Sequence, residues 1–299
     1  MLIPGLNGSF EYPPGLPFPL VAAFIAMVGA TIGSFLNVVI HRVPRDESIV
    51  FPNSKCPKCG TAIHAYDNVP VLSYLILRGR CRSCKAGISP RYPAVEALTG
   101  AVFLGVFLMR GLSFALPFDL IFVAGLVALV FIDAEHKLLP NVITYPGIAF
   151  SLIARLAIPY VASPLYFEDF PSLANALPHE WPIWALSVAG AVLGALAGGG
   201  SLWLMGWIWE RLRKVEAMGL GDVKMMFAVG AYLGWRLTIL TIFIAVLFGS
   251  ITGVGIMIGK GERNLQMELP FGIFLGAGSL VSLLVGARIV SWYLGQYAF

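Results

Sequence analysis

The sequence predicts an α-helical polytopic membrane protein of about eight transmembrane helices, with a small four-cysteine insert after the first. Three observations predict it. Of 299 residues, 58% are hydrophobic and only 12% are charged, about half the charged share of an average soluble domain. Mean hydropathy is +0.82. Apolar runs recur along the chain at lengths that suit a bilayer, which takes about 20 residues per helix. The runs are continuous rather than alternating, which argues against a transmembrane β-barrel. So much apolar surface is also foreign to a disordered chain.

Each span follows in order. Leu20 to Ile40 is uncharged, 93–109 carries only Glu96, and 120–132 leads into Asp133. Residues 142–160 hold Arg155, and 183–209 hold no charge. Residues 223–235 follow a Gly-rich turn, 237–259 are uncharged, and 269–295 carry only Arg288. The third and sixth are the shortest. Sixteen of the twenty Lys and Arg fall on one face of this alternation, nine of them between residues 41 and 92. The positive-inside rule makes that face cytoplasmic, with both termini outside. The net charge of +4 is then a topology signal, and no nucleic-acid partner is expected. Residues 1–19 hold no Lys or Arg, so a retained anchor is expected rather than a cleavable signal peptide. The chain divides into an N-terminal segment and first helix (1–41), a cytoplasmic insert (42–92) and a membrane-embedded core (93–299).

The insert holds all four cysteines, as Cys56-Pro-Lys-Cys59 and Cys81-Arg-Ser-Cys84. Two such knuckles can present four thiolates tetrahedrally, the preference of Zn²⁺. Two disulfides, or a redox pair, are the competing readings, and a reducing cytoplasm disfavours the disulfides. With four thiolates and no open position, such a metal is structural, and it supplies much of a small insert's folding energy. His64 is a nearby candidate that four cysteines make superfluous.

Two aspartates stand at the cytoplasmic ends of spans: Asp133 in Ile132-Asp133-Ala134-Glu135-His136, and Asp222 in Gly219-Leu220-Gly221-Asp222-Val223-Lys224. A carboxylate at this depth is costly unless paired or functional. Two facing aspartates share a proton, so that one acts as base on a water while the other polarises a carbonyl. Gly219 and Gly221 allow close backbone approach. Lys224 favours an ionised neighbour or snorkels at a helix end. The plainer reading makes Asp222 a helix N-cap and Asp133 part of a wet loop. Glu135 is an alternative proton donor, and His136 an alternative helper. An ion-coupled transporter using Asp133 and Asp222 is the competing function. The Gly194–Gly200 run reads as a helix-packing surface or a bend. Trp203, Trp207 and Trp209 read as an interfacial belt.

Several motifs, in order, resemble the bacterial type IV prepilin peptidases, bifunctional leader peptidases and N-methyltransferases of the GxGD aspartic type. They are Gly33-Ser34-Phe35-Leu36-Asn37 running on to His41-Arg42-Val43-Pro44, the insert with Asp67-Asn68-Val69-Pro70, and Arg91-Tyr92-Pro93-Ala94-Val95-Glu96. Ile132-Asp133, Leu139-Pro140-Asn141, Gly219 to Lys224 and Leu269-Pro270-Phe271-Gly272 complete the set. The resemblance implies catalytic roles for Asp133 and Asp222. It implies cleavage of a basic leader after Gly in prepilins and pseudopilins, at the cytoplasmic face of the bacterial inner membrane. It also implies methylation of the new N-terminal residue, usually Phe, by S-adenosylmethionine. Glu96, Arg91, Asn68, Arg42 and Asn37 are the methyltransferase or substrate candidates. No Gly-rich dinucleotide motif is present, so a Rossmann-type cofactor site is not expected. Residues 1–19 and 161–182 match nothing in the family.

Overall fold

The computed structural model describes residues 17–163, 166–178, 180–214, 219–260 and 270–296. Residues 1–16 and Leu269, which enter the readings above, lie outside them. The described residues are helical apart from loops and two isolated antiparallel bridges. In chain order the helices are α1 (Phe18–Arg42), α2 (Leu72–Ile76), α3 (Arg91–Arg110), α4 (Leu116–His136) and α5 (Asn141–Val161). After these come α6 (Phe170–Ala176), α7 (Ile183–Ala195), α8 (Ser201–Arg213), α9 (Leu220–Leu233), α10 (Trp235–Lys260) and α11 (Phe271–Gln296). A π-turn, Leu196–Gly200, joins α7 to α8 into one rod, Ile183–Arg213.

Seven helices among the described residues are long and apolar enough to cross a membrane, so the protein is multi-pass. The eighth apolar segment, expected at 223–235, is α9. Its fourteen residues reach about 21 Å at 1.5 Å each, short of a hydrocarbon core of about 30 Å. Its length is set by its ends. Gly219 precedes the first turn, and Gly234 closes the last at φ +83°, donating its amide to the Gly230 carbonyl at 2.9 Å. That left-handed conformation favours glycine.

The chain forms two compact units. One comprises residues up to Leu112 with Asp119–Ala128, and the other comprises Ser113–Phe118 with everything from Leu129 onward. In the first unit α1 and α3 lie side by side through glycines. A Cβ on Gly29 would stand 2.7 Å from Phe103 Cβ, and one on Gly33 would stand 2.8 Å from Glu96 Cα. Small residues permit such contact where lipid gives helices no hydrophobic reason to associate.

In the second unit, α9 is the buried centre, packed on α5 and α7. The Gly194–Gly200 run is a packing surface. A Cβ on Gly194 would overlap the Gly230 carbonyl, and one on Gly198 would overlap that of Met226. The π-turn falls in the same run, and its i→i+5 bonding loosens the helix. On the far side, Ser151 Oγ of α5 donates to the Ala228 carbonyl at 2.8 Å. Trp203, Trp207 and Trp209 stay exposed along α8, with Arg211 over the Trp207 ring and Arg213 over that of Trp209. An interfacial belt has this composition.

One buried ion pair has no counterpart in the sequence reading. Arg155 of α5 donates to Asp169 Oδ1 at 2.9 Å and to the Ala231 carbonyl of α9 at 3.0 Å. Its guanidinium lies 3.8 Å from the Phe167 ring centroid. Both charged residues are fully buried. Only glycine fits around them, since a Cβ on Gly234 would stand 2.5 Å from Arg155 Nη2 and from Asp169 Oδ2. The start of α6 is therefore pinned through Asp169 to the end of α9. Arg155→Met leaves Asp169 charged and alone in the interior, a change that costs about 3–5 kcal/mol. Thermal unfolding in detergent should show a large drop in midpoint for this variant, relieved in part by adding Asp169→Leu.

Candidate active site and metal centre

The cysteine knuckles are built alike. Cys56 donates its amide to the Thr61 carbonyl at 2.9 Å and Cys81 to that of Ala86 at 2.8 Å. Gly60 and Lys85, each four residues after the first cysteine of its pair, take left-handed backbones at φ +72° and +57°. Lys55 bridges Ala62, and Arg80 bridges Gly87. The repeat turns both pairs of thiols toward one point. The four sulfurs lie within 4.8 Å of one another, and Cys56 Sγ is 3.8 Å from Cys84 Sγ. A tetrahedron with Zn–S bonds of about 2.3 Å has edges of about 3.8 Å.

The protonation chemistry points the same way. Hydrogen bonds from the Thr61 hydroxyl and backbone hold the Cys59 thiol down to about 6. The Cys84 and Ser83 amides lower Cys81. The Ala86 amide also favours the Cys84 thiolate, but burial and the other sulfurs push that thiol up to about 11. Four adjacent thiolates repel one another until a cation neutralises them. The residues therefore fit a structural Zn²⁺, and a chelator should unfold the insert. The expected readout is new proteolysis between residues 42 and 92 after chelation, reversed by Zn²⁺. Because every thiol binds as its thiolate, zinc must displace the Cys84 proton, so affinity should already fall as pH drops from about 11, and should fall more steeply below about 6, where Cys59 protonates as well.

Around the knuckles, Arg82 forks onto Asp67, with Nε 2.8 Å from Oδ2. His64 stacks on Tyr66 at 5.1 Å between centroids and is not among the clustered metal-ligating groups. Among the remaining candidates, Glu96 is buried and its Oε2 accepts the Val71 amide at 2.7 Å. Val71, just before α2, sits at φ +60°, a conformation a β-branched residue takes only when held there. The buried carboxylate supplies that hold. Asn37 Nδ2 donates to the Tyr92 carbonyl at 3.0 Å, and Arg91 lies over the Tyr92 ring at 4.8 Å. Arg42 donates from Nη1 to the Ser48 carbonyl at 2.8 Å and from Nη2 to that of Pro52 at 2.6 Å. Asn68 is exposed, just before the Val69–Val71 bend. These five do not form one cluster. Glu96 and Arg91 of α3 and Asn37 of α1 lie at the α1–α3 contact, whereas Arg42, the last residue of α1, lines a cleft with Asn68 of the insert.

In the second unit, Asp133 and Asp222 come together. Asp133 is buried in the last turn of α4, which closes at Lys137. Asp222 sits in the first turn of α9, where no side chain caps the helix, so it is not an N-cap. Their meeting point is Gly272 of α11. A Cβ there would stand 2.7 Å from Asp133 Oδ2 and 3.1 Å from Asp222 Oδ1. The two oxygens are thus no farther apart than those two distances laid end to end. The Gly272 and Ile273 amides donate to the Asp133 carboxylate, satisfying donors that the start of a helix leaves free. Asp133 Oδ2 has no hydrogen-bond partner among the described residues.

Neighbouring residues fix this geometry. A Cβ on Gly221 would stand 2.9 Å from Leu139 Cβ, so α9 and the α4–α5 connection touch where only glycine fits. A Cβ on Gly219 would meet only Asp222 Oδ2 among the described residues, at 4.0 Å. Lys224 Nζ donates to Asn141 Oδ1 at 2.8 Å and lies over the Tyr145 ring at 5.1 Å. It ties the start of α9 to the start of α5. Glu135 is exposed, and His136 Nε2 is 4.0 Å from its Oε2. Gly272 enters the sequence reading only as part of a motif. A Gly at the start of an apolar run is its one sequence signal.

Fold and sites together define a multi-pass helical membrane protein with a four-cysteine centre and a pair of converging aspartates. Residues 27–110 match the family model described as Bacterial Peptidase A24 N-terminal domain, and residues 120–254 match that of the Type IV leader peptidase family. Three relatives are each named Prepilin leader peptidase/N-methyltransferase. That of Pseudomonas aeruginosa is 35% identical over 91% of this chain and 92% of its own. That of Aeromonas hydrophila is 34% identical over 95% and 96%. That of Burkholderia pseudomallei is 34% identical over 91% and 87%. No solved structure matches the chain significantly. The chain belongs to the type IV leader peptidase family.

Proposed function

We propose that this protein is a bifunctional membrane enzyme. It cleaves the basic leader from type IV prepilins and pseudopilins after Gly, then methylates the new N-terminal amine with S-adenosylmethionine. The observation that carries the reading is the convergence of Asp133 and Asp222 on Gly272, in a chain whose relatives bear the name given above. Two carboxylates this close cannot both hold a negative charge without cost, so they share a proton. The ionised one takes a proton from water, whose oxygen attacks the scissile carbonyl, while the protonated one donates to the carbonyl oxygen. Collapse of the tetrahedral intermediate sends a proton to the leaving amine. Gly221 and Lys224 hold α9 where Asp222 meets its partner.

The substrate suits the location. A prepilin presents an apolar helix in the bilayer and a charged leader in water, so aspartates at the membrane edge reach the junction without drawing charge into lipid. Most basic residues share the face of the insert and the aspartates, which supports a cytoplasmic active site on the bacterial inner membrane. The division of labour proposed here gives residues 93–299 the peptidase and 42–92 a part in methyl transfer. Bound S-adenosylmethionine supplies an electrophilic methyl group. Glu96 keeps the Val71 bend in shape.

The test is an assay of purified enzyme in detergent with a precursor whose leader ends Gly-Phe, with and without S-adenosylmethionine. Mass spectrometry should find leader loss in both conditions and one added methyl on the new terminus only with the cofactor. An inserted, folded enzyme that leaves the precursor intact would sink the peptidase reading. Cleavage without methylation would reduce the proposal to a peptidase.

A further inference from the structure

We propose that a cleft in the insert-bearing unit is the S-adenosylmethionine site, a deepening that rests on the methyltransferase reading above. The cleft has a volume of about 350 Å³, within the range of small-molecule sites. Its lining divides into parts that match an amino acid joined to a nucleoside. Ile49, Val50 and Ile63 form its apolar wall, and all three are exposed. Exposed aliphatic side chains in a concave site suit the faces of a purine. Asn53 and Asn68 line the cleft as well, and their side-chain amides have no hydrogen bond among the described residues. A carboxamide can pair with the N6 and N7 edge of adenine through one donor and one acceptor, as it does in the DNA major groove.

Arg42 supplies the charge. Its guanidinium has five N–H donors, and the carbonyls of Ser48 and Pro52 occupy two of them. Those two bonds hold the group rigid and leave donors for a carboxylate, which a guanidinium grips with two parallel bonds. The same two bonds fasten residues 48–52 to the end of α1. A cation, two open amides and an apolar slot in one cleft select an amino-acid nucleoside over a lipid tail or a simple anion. Arg42 and Asn68, two scattered candidates in the sequence, thereby acquire one ligand.

The test measures binding, not turnover. Zinc-loaded enzyme in detergent is titrated with S-adenosylhomocysteine by calorimetry. It is also irradiated with methyl-labelled S-adenosylmethionine, and the labelled peptide is identified. The expected label falls between residues 42 and 68. Ile63→Trp fills the slot and Asn68→Ala removes an amide, so each should weaken binding at least about tenfold. Both must keep the wild-type zinc content and melting temperature, and Val50→Trp serves if either does not. Asp133→Asn should bind as the wild type does. Label elsewhere, or wild-type affinity in properly folded Ile63→Trp and Asn68→Ala, would overturn the cleft while leaving the methyltransferase reading intact. A wild-type enzyme that binds no S-adenosylhomocysteine would overturn both.

Discussion

Asp133→Asn and Asp222→Asn should each lower the rate of leader cleavage by about 10³-fold or more, the scale of losing an acid–base group. Both substitutions preserve side-chain shape and remove the ionisable oxygen. In the Asp133→Asn variant the carboxamide carbonyl still accepts the Gly272 and Ile273 amides, so α11 keeps its start. The variants should therefore insert, melt and bind zinc as the wild type does. The double variant is the sharper measurement. Two groups that act as one unit are non-additive, so removing both should cost about as much as removing either. Additive losses would mean that the two carboxylates act separately. Loss in only one variant would leave a single carboxylate at work and would remove the shared-proton mechanism.

Gly272→Ala should lower cleavage by about 10²-fold, although no reactive group is removed. The new methyl would stand 2.7 Å from Asp133 Oδ2 and 3.1 Å from Asp222 Oδ1. Carbon and oxygen do not approach that closely, so the carboxylates must part or α11 must retreat. A shift near 1 Å at a reacting centre costs about that much in rate. Alanine is a better helix former than glycine, and stability should change little. The measurement is kcat alongside a melting curve. A rate near wild type would show that the space between the two carboxylates is not where the peptide bond sits. Gly221→Ala, which presses on Leu139 instead, should lose less, because its effect reaches Asp222 only through a shift of α9.

Glu135 shows why sequence neighbours of a site are hard to rank. It is two residues from Asp133 and equally acidic, yet in a helix that spacing turns it about 200° away. It ends exposed beside His136. The 161–182 segment shows the opposite failure. In the sequence Asp169 is one acid in a polar loop, and nothing local predicts that it turns inward to meet Arg155. An arginine in an apolar run demands a partner, but the run does not say which acid supplies it. Asp222 illustrates a third case. Its place ahead of an apolar run suits an N-cap, but the helix begins at Leu220, which puts the aspartate inside the first turn.

Every feature legible along the chain is local or cumulative. Apolar runs, the bias of basic residues and two knuckles with turn-forming followers each act over a few to twenty residues, so membrane helices and the four-cysteine cluster could be read directly. Which distant groups share a point emerges only from the packing of the helices. Asp133, Asp222 and Gly272 come from three helices, and Arg155, Asp169 and Gly234 from separate segments of the same unit. Such meetings depend on how closely backbones approach, which the glycines at 194, 221, 230 and 272 permit. In a bilayer that approach is driven by packing rather than by burial of apolar surface, so hydropathy carries no record of it.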